Sequence, residues 1–237
     1  MSPFYYHLAH NLSATLPRLG SRIYRSGFEH IPKTGPALLL ANHISHFDPP
    51  LMALKFPRYI HYMADKPLLE IPIYGKLLQK AGVFPIDRTK NDRAALRTAM
   101  DLLKAGNVVG IFPEGGIRHG KTSALGGAEL PVGTASLWKM MDVPVIPMVI
   151  IGADQMYVLK NYLLRPRIFI RAGPLLPKPT KDDTREELRD RIVAVWRELY
   201  DGMIRDYDIQ PDELPKSAQA RWGKPEPVPK GITKLPN

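Results

Sequence analysis

Short apolar runs recur along the chain with helix-patterned segments between them, and that alternation restricts the fold more than any other feature. ALLLA (37–41), YIHYMA (59–64), VFPI (83–86), VVGIF (108–112), VPVIPMVII (143–151) and RIFIRA (167–172) each have the length of a strand. Runs without polar interruption suit strands covered on both faces, as in parallel sheets. Between them, residues 48–55, about 70–80, NDRAALRTAMDLLKAG and VGTASLWKMMD read as helices, the third closed by Gly106. DDTREELRDRIVAVWRELYDGMI is the clearest helix. It opens on a Thr184/Glu187 capping box and carries Leu188, Ile192, Val195 and Leu199 on one face. Strands alternating with helices predict an α/β fold, a mixed, largely parallel sheet flanked by helices. Pro144 and Pro147 place the strand VPVIPMVII at an edge or a bulge.

The two ends read differently. In residues 1–24, Phe4, Tyr5, Leu8, Leu12, Leu16 and Leu19 recur three to four apart, which predicts an N-terminal amphipathic helix. The same spacing serves a helix packed on the domain and a helix lying in a lipid interface, with Tyr5, Tyr6, Arg18, Arg22 and Arg25 at headgroup level. The segment lacks the basic start of a signal peptide. Residues 25–207 read as the α/β domain, and 208–237 as a Pro-rich, basic tail, extended or poorly ordered, with Trp222 placed to dock on the body. No run reaches the roughly eighteen apolar residues of a spanning helix.

Thirty-three Lys and Arg against 23 Asp and Glu give a net charge of +10, so an anionic partner is expected. The basic residues are spread along the chain without aromatic interleaving, and nucleic acid is not the expected partner. Cysteine is absent, which excludes disulfides, thiolate metal sites and a cysteine nucleophile. The seven histidines show neither H-x-x-x-H nor H-E-x-x-H spacing, so no metal is expected.

FPEGGIRHGKTS (112–123) admits two incompatible readings. From Gly115 it fits G-x-x-x-x-G-K-[ST], the phosphate-cradling loop of nucleotide-binding proteins. That loop works because a helix begins at its G-K-[ST]. Here SALGGAELP follows, and two adjacent glycines and a proline leave no helix to begin.

The other reading starts upstream, where ALLLA leads into NHISHFDPP. His43 closes the strand and Asp48 opens the next helix. A carboxylate that accepts the Nδ1 proton fixes the imidazole tautomer and leaves Nε2 to take a proton from a hydroxyl. His46 is a rival base. His43 is preferred because sites of parallel α/β sheets gather at the carboxyl ends of strands. A plain helix-capping pair is the structural alternative.

These blocks resemble the glycerolipid acyltransferase family, whose best-known members make phosphatidate from lysophosphatidate. NHISHFD matches its N-H-x-x-x-x-D block, VFPIDR the second block with Arg88, FPEGG the start of F-P-E-G-T-R, and VPVIPMVI the fourth; ADKPLLEIPIYG adds Lys66. The match spans about residues 25–175 and departs after Gly115, where Gly116-Ile117-Arg118 replaces Thr-Arg.

The resemblance implies acyl transfer from acyl-CoA or acyl carrier protein, without a cofactor, to a lysophospholipid hydroxyl, with 1-acylglycerol 3-phosphate first among acceptors. His43 is then the general base, Asp48 its orienting partner, and the Gly115 and Gly116 amides candidate oxyanion donors. Arg88, Arg118 and Lys66 are candidates to grip the acceptor phosphate, against ordinary ion pairing or solvation. Glu114 either binds the glycerol backbone or orders the loop. Asn42 is placed to brace the backbone around His43. A lipid substrate implies a peripheral or monotopic protein on the cytoplasmic face of a membrane. A different lysolipid or glycolipid acceptor, or a non-catalytic basic lipid-binding protein, are the alternatives.

Overall fold

ALLLA becomes the middle of the sheet. The computed structural model describes residues 2–54, 56–87 and 92–224. In chain order the elements are α1 (Pro3–Leu19), β1 (Arg22–Ser26), β2 (Ala37–Ala41), α2 (Asp48–Ala53), β3 (Ile60–Asp65), α3 (Lys66–Glu70), α4 (Tyr74–Lys80), β4 (Phe84–Ile86), α5 (Arg93–Lys104), β5 (Val108–Ile111), α6 (Gly133–Met141), β6 (Val145–Ile151), α7 (Asn161–Leu164), β7 (Arg167–Ala172), α8 (Arg185–Tyr207) and α9 (Ala218–Arg221). The sheet has seven strands in the order β1-β7-β6-β2-β5-β3-β4. All pairings are parallel except β6 with β7. The carboxyl ends of β2, β3, β4, β5 and β6 therefore share one edge of the sheet.

Strand alternation divides the core into two layers. Leu38 and Leu40 join Val109, Trp138, Val149, Leu188, Ile192 and Trp196 on the face covered by α5, α6 and α8. Ala37, Leu39 and Ala41 join Leu51, Met52, Val108, Ile146 and Ile150 on the other face. The capping box that starts α8 is present: Thr184 Oγ1 accepts the Glu187 amide, and Glu187 Oε2 accepts the Thr184 amide. The buried face of α8 centres on Trp196, whose Nε1 donates to Leu40 O, rather than on Val195.

Four expectations need correction. First, of the edge and the bulge expected, the edge is excluded, because β6 is interior, between β2 and β7. Pro147 lies just before the β6–β7 register, which runs from Met148↔Ala172 to Ile151↔Phe169, and joins the pairing through its carbonyl, which accepts Gly173 N at 2.8 Å, while its missing N–H falls beyond the last registered pair. Second, the helix expected near 70–80 begins only at Tyr74, as α4, and a separate short helix, α3, ends before it at Glu70. Pro72 separates the two, and Ile73 sits in a γ-turn at φ 65, ψ −59, with Tyr74 N donating to Pro72 O. Third, α1 ends at Leu19, and residues 22–24 already belong to β1, so a boundary at 24 cuts a strand. Fourth, the tail is not extended up to Lys224. Arg221 Nε donates to Asp154 Oδ2, Arg167 pairs with Glu213, and Trp222 Nε1 donates to Tyr157 O at 2.9 Å. The rest of the tail, 225–237, lies outside the described residues.

Helix α1 packs against α2 and α4. Its small residues Ala9 and Ala14 face the body, while Phe4, Leu8, Leu12 and Leu19 stand exposed. Among the described residues no helix is long and apolar enough to cross a membrane.

Candidate active site

The turn from β2 into α2 folds Asp48 back onto the residues before it. Asp48 is fully buried, and its Oδ2 lies 2.8 Å from His43 Nδ1 while accepting the amides of Ile44 and Ser45 at 2.7 and 2.8 Å. Its Oδ1 accepts Ser45 Oγ at 2.5 Å. An ionised carboxylate only accepts, so Nδ1 carries the proton and Nε2 is the basic nitrogen of the ring. The His43 side chain is 15% exposed, enough to meet a ligand.

The FPEG segment holds the same histidine from the other side. The Phe112 ring stacks on the imidazole, with centroids 4.2 Å apart and 23° between planes. Glu114 Oε2 accepts the His43 amide and Oε1 the Ala124 amide, both at 2.8 Å. Arg118 N donates to His43 O at 2.7 Å. Burial pushes the Glu114 carboxyl above its ordinary pKa, opposed by the amides of His43 and Ala124. Asn42 continues the β2–β6 ladder with its side chain: Nδ2 donates to Ile150 O and Oδ1 accepts Ile150 N.

A cavity of about 340 Å³ opens beside His43. Its walls come from α1 (Tyr6, Ala9, His10), α2 (Ala53), β3 (Tyr62) and α4 (Leu78), and Gly116 lies at its rim. The Tyr62 hydroxyl is buried without a hydrogen-bond partner among the described residues, and burial raises its pKa well above the ordinary value. It is a neutral donor at the cavity wall.

The structure brings His43, Asp48, Glu114, Gly115 and Gly116 together and treats the remaining candidates differently. Gly115 closes a turn at φ 71 with its amide on Phe112 O, so of the two proposed oxyanion donors only Gly116 stays at the cavity. Arg118 reaches the site through its backbone, and its guanidinium lies near Gly116 at the surface. Lys66 is 60% exposed, 3.8 Å from Glu70, and does not line the cavity, although its neighbour Asp65 does. Arg88 lies outside the described residues. The G-K-T stretch forms only the 3-10 turn Gly120–Thr122, which provides no helix to cradle a phosphate. Among the described residues no group of three His, Asp or Glu side chains is placed to hold a metal ion.

His46 also lines the cavity, but it faces Tyr157 rather than a carboxylate. Its Nδ1 lies 2.7 Å from Tyr157 Oη, which also accepts the His46 amide at 3.0 Å. Burial lowers the His46 pKa and pushes that of Tyr157 up to about 12. His46 thus lacks the direct carboxylate contact that His43 makes with Asp48. The sequence contained no signal for Tyr157 or for the cavity-lining face of α1. Ser45, three residues before Asp48, was legible as a local side-chain turn and was missed.

The profile of the acyltransferase family matches residues 22–151, more than half of the 237. The chain is 30% identical over 131 residues to the 1-acyl-sn-glycerol-3-phosphate acyltransferase of Bacillus subtilis, covering 55% of this chain and 62% of that protein's length. It is 25% identical over 183 residues to the protein of the same name from Borreliella burgdorferi, covering 73% and 71%. The crystal structure of the 1-acyl-sn-glycerophosphate acyltransferase of Thermotoga maritima has a similar fold, with a TM-score of 0.65, 22% identity, and coverage of 84% of this chain and 79% of that one. The family match covers the strands and turns that carry His43, Asp48 and Glu114, and the chain belongs to the acyltransferase family.

Proposed function

We propose that this protein transfers a fatty acyl group from a thioester, acyl-CoA or acyl carrier protein, to the free hydroxyl of 1-acylglycerol 3-phosphate. The observation that carries the proposal is the 2.8 Å contact of His43 Nδ1 with buried Asp48 beside a cavity lined largely by apolar side chains. Nε2 of His43 takes the proton of the acceptor hydroxyl as its oxygen attacks the thioester carbonyl. Asp48 stabilises the imidazolium that forms. The Gly116 amide is the nearby candidate to stabilise the tetrahedral oxyanion. The C–S bond then breaks, the imidazolium returns its proton to the departing sulfur, and ester and thiol are the products. The apolar cavity suits the acyl chain. The names of the relatives support lysophosphatidate as acceptor, with Arg118, beside Gly116 at the cavity rim, as the described cation nearest for its phosphate and with Lys66 and Arg88 as further candidates.

The outward stripe of Phe4, Leu8, Leu12 and Leu19 and the net charge of +10 support peripheral association with an anionic membrane surface, as on the cytoplasmic face. The decisive experiment offers purified protein acyl-CoA or acyl carrier protein and a panel of lysolipid acceptors, and follows thiol release. Lysophosphatidate should accelerate release, and His43→Ala should abolish the acceleration. Acceleration only by another lysolipid would replace the acceptor. No acceleration by any acceptor, with vesicle binding intact in His43→Ala, would leave a lipid-binding protein instead of an enzyme.

A further inference from the structure

The segment that leaves β6 carries an apolar surface with no part in the reaction described above. After the 3-10 turn Ala153–Tyr157 the chain forms α7 and enters β7 through Arg165, whose backbone is left-handed at φ 51. There Leu159, Leu163 and Leu164 stand 80%, 89% and 70% exposed. Large apolar side chains clustered at the tip of a turn mark a surface that meets something other than water.

The turn is braced. Asn161 Nδ2 donates to Gln155 O, and Arg165 N to Asn161 O, each at 2.8 Å. Gln155 Nε2 donates to Arg167 O at 3.1 Å. Much of the turn's polar inventory is thus satisfied internally, which lowers the cost of entering an apolar medium. The Tyr162 ring lies against Gly20, where an added Cβ would come within 2.4 Å of it. Gly20 directly follows exposed Leu19, so this contact joins the outward stripe of α1 to the leucine turn. Because β6 runs parallel to β2, the turn leaves the sheet at the His43 edge.

Charge names the occupant. Lys160 and Arg165 are exposed beside the leucines, and Lys160 and Leu164 line a polar cavity of about 520 Å³ whose basic residues Arg22, Lys160, Arg167, Lys216 and Arg221 outnumber its acids Asp212 and Glu213. Leucines rimmed by cations fit an anionic bilayer better than they fit a second copy of a chain carrying +10.

We infer that the Leu159–Arg165 turn is a second membrane-insertion element, which seats its leucines beneath the headgroups of an anionic bilayer while Lys160 and Arg165 engage lipid phosphates. A single amphipathic helix can roll about its own axis. A second attachment off that axis holds the His43 edge of the sheet against the membrane. The inference rests on the lipid-acceptor reading above, since a lipid substrate is what requires that edge to meet a bilayer.

The test uses the full chain with vesicles of phosphatidylglycerol and phosphatidylcholine. Leu159→Ser, Leu163→Ser and Leu164→Ser combined should weaken partition into these vesicles by at least about tenfold. The thermal midpoint and the rate on a monomeric short-chain lysophosphatidate in solution should stay unchanged, because none of the three lines the His43 cavity. In a separate Leu163→Trp variant, lipids brominated high in the acyl chain should quench the added indole fluorescence. Equal vesicle partition of wild type and triple variant, or an unquenched indole, overturns the inference. So does a wild-type dimer in light scattering that the triple substitution dissociates, since a second copy would then cover the leucines. If the wild type accepts no lysolipid at all, the functional proposal fails on its own, and vesicle partition still decides this one.

Discussion

Glu114 Oε2 accepts the backbone amide of His43 at 2.8 Å, tying the end of β2 to the loop that follows β5. Its other oxygen holds Ala124 N, so both oxygens serve backbone rather than open solvent. Glu114→Gln offers one carbonyl oxygen and turns an NH2 group toward an N–H donor. The variant should unfold about 1–3 kcal/mol more easily in denaturant and should lose turnover as His43 shifts. Because burial raises the folded pKa above the ordinary 4.5, the ionised form of Glu114 stabilises the fold less than the protonated form does. Its favourable contribution is present below 4.5 and is lost as pH rises through the raised value. Unfolding curves between acid and neutral pH should show that component in the wild type and not in Glu114→Gln.

Asp48→Asn keeps the shape of the turn but replaces an oxygen that takes His43 Nδ1 and two amides. The imidazole loses both its tautomer control and its counter-charge. Turnover should fall about 10²–10⁴-fold, read as kcat on soluble donor and acceptor, while a preserved circular dichroism spectrum separates this from unfolding. Full activity in this variant would remove the general-base mechanism.

Ala9 is buried in α1 and lines the cavity beside His43. Ala9→Phe should narrow the space, at a cost of about 1–3 kcal/mol from overpacking. A donor panel of increasing chain length should then show selectivity moving toward shorter acyl groups, with the rate on the shortest donor retained.

His61 is buried in β3 with Nδ1 3.0 Å from Gly82 O, and burial lowers its pKa from the ordinary 6.5, partly countered by that carbonyl. A depressed folded pKa means that its stabilising contribution is present above pH 6.5 and is lost as pH falls through the folded value. The thermal midpoint should drop on acidification below neutrality, and His61→Gln should reduce that slope.

Asp154 is fully buried, and its Oδ2 takes Arg221 Nε at 2.7 Å and Lys216 N at 2.8 Å. Burial raises its pKa, opposed by Arg221. Arg221→Met strands the carboxylate and should cost about 3–5 kcal/mol. Asp154→Asn combined with Arg221→Met should recover part of the loss in urea unfolding.

The parts of the chain that could be read without coordinates are those whose partners are near in sequence. ALLLA and VVGIF declare strands because every residue is apolar, and α8 declares itself through Thr184, Glu187 and a 3.6-residue period. His43 and Asp48 meet within one turn, so spacing alone brought the pair together. RIYRS gave no comparable signal, because its arginines break the alternation of an edge strand. The interior position of β6 follows from ladders to β2 and β7, which no local pattern of prolines reports. Glu114 reaches His43 across 71 residues and Tyr157 reaches His46 across 111, distances over which chain spacing carries no information. The outward turn of Phe4, Leu8, Leu12 and Leu19 belongs to the same class. A helical period records that two faces differ, and the fit of Ala9 and Ala14 against the body chose the one left exposed.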